Sequence, residues 1–243
     1  MGGPFIPIIV TRAEPGASTT MAYLAARNLN AMRAPVLSLE PLPQTPLPDW
    51  RDLSGLVFTS ANGVRTYADR RTDRSLTAWC VGPATAEAAR EAGFSDIRES
   101  AGNAMDLAAF IAQQRQPSDQ PLLHVANQAA KGTLKQTLTA LGLGVLFAPL
   151  YAMRPTDELP AEVEQLVERP APAIVLVHSA KGAAAFANLI DPAALKHWRL
   201  VAISEQARSP LAAIARKHTY IADEPNEAGL MRALDIALAT LSA

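Results

Sequence analysis

Small polar and cationic residues recur in this chain directly after short apolar runs. Thr59, Ser60 and Asn62 follow one run, Gly82 and Thr85 a second, Asn127 and Lys131 a third, and His178, Ser179 and Lys181 a fourth, while Arg12 follows the run that opens the chain. Hydroxyl, amide and cationic donors in such places suit a large anionic ligand held by many hydrogen bonds. Taken singly, Ser, Thr and Asn at these turns are also ordinary helix caps. Metal chemistry has no comparable support. The four histidines (His124, His178, His197, His218) show no ligand spacing, and the one cysteine, Cys80, lies in the apolar run AWCVG and reads as core.

The elements that must carry these residues are repeated. VFTSANGVRTYA (57–68) is matched by VLVHSAKGAAAFA (175–187), with Ser60 and Ser179 standing 119 residues apart. GPATAEAA (82–89) is matched in position by SEQARSPL (204–211), and AGNAMDLAAFIA (101–112) by EPNEAGLMRALDIAL (224–238). Near-constant offsets make chance similarity a poor explanation. The first copy continues with PLLHVANQAAKGTLKQTLTALG (121–142), whose counterpart in the second copy is PIIVTRAEPGASTTMAYLAARN (7–28) at the other end of the chain. The repeat therefore predicts two threaded lobes with a cleft between them. One is discontinuous, residues 1–34 plus 155–243, and the other, 43–144, is inserted.

Apolar runs alternating with helical patterns predict parallel βαβ units. Strands are expected near 6–10, 55–59, 77–81, 96–99, 121–126, 173–178, 199–203 and 219–222, four to each lobe. Met21, Leu24, Ala25 and Met32 form the apolar stripe of the first helix, and Leu230, Leu234, Leu238 and Leu241 that of the last. The crossing segments 35–42 and 145–154 are expected to pair as a two-stranded antiparallel hinge. QTPLPDW (44–50) reads as a surface connector. In open α/β sheets ligands sit beyond the carboxyl ends of the strands, which is where the polar residues above fall. A formal net charge of −1 over 243 residues gives no global attraction to nucleic acid or an anionic membrane. The N-terminus lacks signal-peptide features and no apolar run nears the ~20 residues of a membrane span, so a cytoplasmic protein is expected.

VTR (10–12), FTSANGV (58–64), VGPATAEAAREAGF (81–94), the turn and helix at 102–112, HVANQAAKGTLKQTL and LYAMRP (150–155) occur in an order that resembles the uroporphyrinogen-III synthase family over nearly the whole chain. The resemblance implies two flavodoxin-like lobes joined by a ladder, and a cofactor-free enzyme of tetrapyrrole biosynthesis. Its substrate would be hydroxymethylbilane, closed into uroporphyrinogen III with inversion of the terminal ring through a spiro intermediate. It also implies Tyr151 as proton donor to the departing hydroxyl, and Thr85 as an orienting hydroxyl. Arg12, Arg65, Lys131, Arg154 and Lys181 become candidate carboxylate contacts. A monomer receiving its substrate from hydroxymethylbilane synthase is expected.

One stretch departs from the family: Ser204 to Arg208 stands where many members repeat a Gly-Pro-x-Thr-Ala turn, placing Glu205 near a site for carboxylates unless it pairs with Arg208. A non-catalytic two-lobed tetrapyrrole or small-molecule binding protein remains open as an alternative. A nucleotide-using enzyme does not fit, because neither GxGxxG nor a P-loop lysine motif occurs.

Overall fold

The computed structural model describes residues 6–117, 119–130, 132–169, 171–212 and 218–242. Along them the strands are β1 (Ile8–Val10), β2 (Ala31–Arg33), β3 (Leu37–Pro41), β4 (Gly55–Phe58), β5 (Ala78–Val81), β6 (Ile97–Ser100), β7 (Leu122–Asn127), β8 (Val145–Pro155), β9 (Ile174–Val177), β10 (Arg199–Ala202) and β11 (Thr219–Ile221). The helices are α1 (Gly16–Ala26), α2 (Ala61–Ala68), α3 (Gly82–Glu91), α4 (Ala104–Ala112), α5 (Thr133–Ala140), α6 (Ala161–Val167), α7 (Ala180–Leu189), α8 (Glu205–Arg208) and α9 (Glu227–Ser242). None of these helices is long and apolar enough to cross a membrane.

The chain divides into two compact units, residues 1–39 with 154–243 and residues 40–153; the divisions fall inside β3 and β8. The first unit holds a five-stranded sheet in the order β2-β1-β9-β10-β11, all of whose pairs are parallel. The second holds a six-stranded sheet in the order β3-β8-β7-β4-β5-β6, parallel from β8 through β6. Position for position the two orders match: β1 fills beside β9 the place that β7 fills beside β4. In each sheet the chain first winds to one side and then to the other. The reversal lies between β4 and β7 in one unit and between β9 and β1 in the other.

Alternating side chains of these strands cover both faces of each sheet. In the second unit Leu56, Phe58, Leu123 and Val125 pack with Val64 and Tyr67 of α2, whereas Val57, Trp79 and Leu122 pack with Leu107 of α4 and Leu134 of α5. In the first, Ile9, Val175 and Leu200 pack with Phe186 of α7, and Ile8, Val10 and Leu176 with Leu24 of α1 and Leu230 of α9. Phe58, Tyr67 and Phe94 form an aromatic trio with centroids 6.0, 5.8 and 6.3 Å apart. Contacts of this kind, worth about 0.5–1.5 kcal/mol per pair, fix α2 against β4.

Two expectations are corrected. Met32 does not belong to the first helix, which stops at Ala26. Asn28 takes the left-handed conformation (φ 55°), its amide bonds the carbonyl of Ala25, and the amide of Leu29 bonds that of Leu24. This is a Schellman termination with Asn in the position that tolerates positive φ. The released segment then becomes β2. With β2 the first unit's sheet holds five strands rather than four, while in the second unit the four expected strands are joined in one sheet by the crossing strands β3 and β8.

The connector after β3 is tethered rather than loose. Arg70 Nη2 donates to the Thr45 carbonyl at 2.7 Å, Arg71 Nη2 to that of Leu47 at 3.3 Å, and Thr45 Oγ1 to that of Pro149 at 2.7 Å. Arg70→Ala is expected to cost about 1–2 kcal/mol. Chemical denaturation would read this, and faster proteolytic cleavage within 42–47 should accompany it.

Candidate active site

In the second unit, Ser60 ends the β4 turn with extended backbone (φ −161°, ψ 153°) and its Oγ accepts the Gly63 amide at 3.2 Å, capping α2. Gly63 is required here, since a Cβ would lie 2.9 Å from the Val125 carbonyl oxygen of β7. The same cap recurs in the first unit: Ser179 (φ −162°, ψ 153°) accepts the Gly182 amide at 3.0 Å to start α7.

Across β7 from Ser60 lies β8, and the two strands slip register at their ends. Ala126 faces Pro149 but Asn127 faces Tyr151, so Leu150 is an extra residue. A bulge of this kind re-aims the side chain that follows it. The Tyr151 phenol reaches past the end of β7 to Ser60, with Oη and Oγ 2.7 Å apart. Tyr151 is 4% exposed. Burial pushes its phenol above the usual range, and the Ser60 hydrogen bond pulls it back in part. Ser60 Oγ accepts the Gly63 amide through one lone pair and keeps a second lone pair and its O–H, so either hydroxyl can donate in the pair.

Other expected residues gather at the same sheet end. Thr59 and Asn62 flank Ser60 and are half-buried. Gly82 opens α3 with φ 70°, and no atom stands within 4 Å of where its Cβ would be, so the backbone angle and not space calls for glycine. Thr85 is buried in the next turn of α3. It is not a cap, for the N-cap position is Val81 and carries no side-chain bond. Asn127 accepts the Ala129 amide through Oδ1 at 2.8 Å, closing the turn after β7. Lys131 lies outside the described residues. Arg65, on α2, has Nη2 3.5 Å from Glu91 Oε2.

In the first unit Arg12 follows β1 and His178 follows β9, at the corresponding reversal of strand order. Lys181 lies exposed in the first turn of α7, and Arg154 is exposed in the last part of β8. Sequence reasoning missed two partners. Glu227, the first residue of α9, accepts Arg12 Nη1 at 3.0 Å through Oε2, and the buried Thr20 hydroxyl donates to its Oε1 at 2.6 Å. His178 Nε2 stands 3.6 Å from Glu227 Oε2 and 3.4 Å from Thr20 Oγ1. Burial alone would raise the Glu227 carboxyl, but His178, Thr20 and Arg12 together hold it below the usual range. No local signal marks Glu227, since an acidic residue in a first helical turn is commonplace.

Ser204 caps α8 by accepting the Ala207 amide at 3.1 Å, and Arg208 Nε donates to the exposed Glu205 at 2.8 Å. The substituted turn thus keeps a helix start and neutralises its own carboxylate.

Each unit presents a sheet end rich in hydroxyl and amide groups, with Arg12 and Lys181 added in the first unit and the buried Tyr151 phenol paired with Ser60 in the second. The family described as uroporphyrinogen-III synthase HemD matches residues 18–232. Comparison with curated proteins finds no match. Among solved structures, the uroporphyrinogen-III synthetase of Helicobacter pylori 26695 is similar with 15% identity, covering 97% of this chain and 99% of that one, at a TM-score of 0.67. A mutant uroporphyrinogen III synthase of the extremely thermophilic bacterium Thermus thermophilus is similar with 16% identity, the same 97% and 99% coverage, and a TM-score of 0.54. These likenesses concern the fold, mixed α/β with two sheets of mostly parallel strands. With the family match spanning nearly all of its length, the chain belongs to the uroporphyrinogen-III synthase family.

Proposed function

We propose that the chain cyclises hydroxymethylbilane to uroporphyrinogen III, with Tyr151 as the proton donor and Ser60 as the group that orients it. Tyr151 protonates the departing hydroxyl, which leaves as water and gives an azafulvene. The substituted carbon of the terminal ring attacks that electrophile, forming the spiro intermediate. Fragmentation and reclosure on the other side invert the ring, and loss of a ring proton restores the pyrrole. Left in water the same substrate closes without inversion, so the protein must select one fold of a reactive chain. Arg12, Arg154, His178, Ser179 and Lys181 in one unit, and Thr59, Asn62, Gly82, Thr85 and Asn127 in the other, with Lys131, are the proposed carboxylate and ring contacts.

The observation that carries the reading is the 2.7 Å pair of the buried Tyr151 with the half-buried Ser60 at the reversal of strand order in a member of this family. We extend the proposal to two flavodoxin-like lobes with β3 and β8 as an antiparallel hinge. The protein is taken to be a cytoplasmic monomer supplied by hydroxymethylbilane synthase. The test is to feed freshly generated hydroxymethylbilane to the purified protein, oxidise, and separate the porphyrin isomers. An excess of type III is expected; type I alone from folded protein would overturn the reading.

A further inference from the structure

Arg12 is seated with unusual definition for a partly exposed arginine. Its guanidinium lies over the first residue of α1, where a Cβ on Gly16 would come within 2.0 Å of Nε and 2.5 Å of Cζ. The same group bonds Glu227, its one hydrogen-bond partner among the described residues. Glu227 in turn is held at both oxygens, by Thr20 on Oε1 and by Arg12 and the neighbouring His178 ring on Oε2. Thr20 is fully buried, and the Glu227 side chain is 17% exposed against 38% for Arg12. Exposure therefore rises outward along the row Thr20, Glu227, Arg12. The inner end is buried, and the outer end is a partly exposed guanidinium bonded to Glu227 through Nη1.

A carboxylate in a site built for carboxylates is otherwise a liability, because it repels the ligand. Here its charge is taken up by the arginine it holds. A guanidinium fixed on one edge keeps the other edge free for a second carboxylate, and the entropy of ordering the long side chain is spent before the ligand arrives. We propose that Glu227 is a positioning residue which, together with the glycine seat at Gly16, holds Arg12 for a carboxylate of the substrate. This rests on the cyclisation reading above for the identity of the substrate, but the geometry of the seat stands apart from it.

Gly16→Ala is the informative variant. Its backbone is an ordinary first helical turn, alanine favours a helix, and the three atoms nearest an added Cβ belong to the flexible Arg12 side chain. It should fold normally and dislodge Arg12 alone. Glu227→Gln removes the anchoring charge with little change of shape, and Arg12→Ala removes the group itself. Two readouts are needed: steady-state kinetics on hydroxymethylbilane, and the fluorescence-detected Kd of uroporphyrin III, an octacarboxylate that binds without turnover. All three variants are expected to raise KM and Kd by roughly fivefold to tenfold with kcat changed less than about threefold, the pattern of lost uniform binding. Gly16→Ala added to Arg12→Ala should have no further effect. Unchanged KM and Kd in Gly16→Ala and Glu227→Gln would overturn the proposal, as would effects that add in the double variant or that follow a fall in Tm. Failure of the wild type to form type III porphyrin would instead strike the cyclisation reading, and the uroporphyrin Kd series would still decide the seat.

Discussion

Tyr151→Phe is expected to lower kcat for type III formation by about 10²-fold, the lower end of what a positioned general acid contributes. KM should barely move, because the ring still packs where it does now. The substrate left waiting then closes in solution, so the type I fraction should rise in proportion to the lost rate. Ser60→Ala should act in the same direction but more weakly, since it removes the hydroxyl that orients the phenol and leaves the phenol in place. Thr85→Ala, which breaks no hydrogen bond to a described residue, should lose less again. The phenol is raised above its ordinary range by burial. A raised acid stays protonated at neutral and mildly basic pH, so the wild-type rate should show no basic limb from this group below pH ~10. A Tyr151→Phe variant with full kcat would remove the phenol from the mechanism.

The second large effect is on stability. His124 lies on β7, 2% exposed, with both ring nitrogens buried and without a hydrogen-bond partner and the Phe147 ring edge-on at 5.5 Å. Burial depresses its pKa from 6.5 to about 4. The folded core therefore keeps the ring neutral while the unfolded chain takes up a proton. The unfolded state binds more protons between these two values, so stability is fully present above pH 6.5 and is lost as the pH falls towards 4. A depression of that size corresponds to about 3 kcal/mol, a large part of the stability of an ordinary domain. Urea denaturation at neutral pH and near pH 4.5 should show the loss. His124→Leu should remove most of it while costing little at neutral pH, because no hydrogen bond is broken. An equally steep acid loss in His124→Leu would assign it to other groups.

Much of the architecture was readable along the chain. The predicted strands at 55–59, 77–81, 121–126 and 199–203 fall within a residue or so of β4, β5, β7 and β10. Ser60 and Ser179, paired by the repeat, have nearly the same backbone angles and the same cap. Local patterns fail where two signals compete. Met32 continues the apolar spacing of α1, but the Asn28 turn ends the helix first, and a three-residue strand carries too little pattern to be seen.

The sequence by itself determined most of the strands and helices, the faces they bury, and that two copies of one plan share the chain. These follow from hydrophobic period and turn residues, which act over a few positions. Only the tertiary structure decided what the candidate residues touch. Tyr151 meets Ser60 because a one-residue slip between β7 and β8 turns the phenol towards a loop 91 residues away. Arg12 is held by a carboxylate 215 residues distant that no motif marks. A hydrogen bond depends on sub-ångström placement of two atoms, and that placement is set by strand register and packing across the sheet, not by the spacing of residues along the chain.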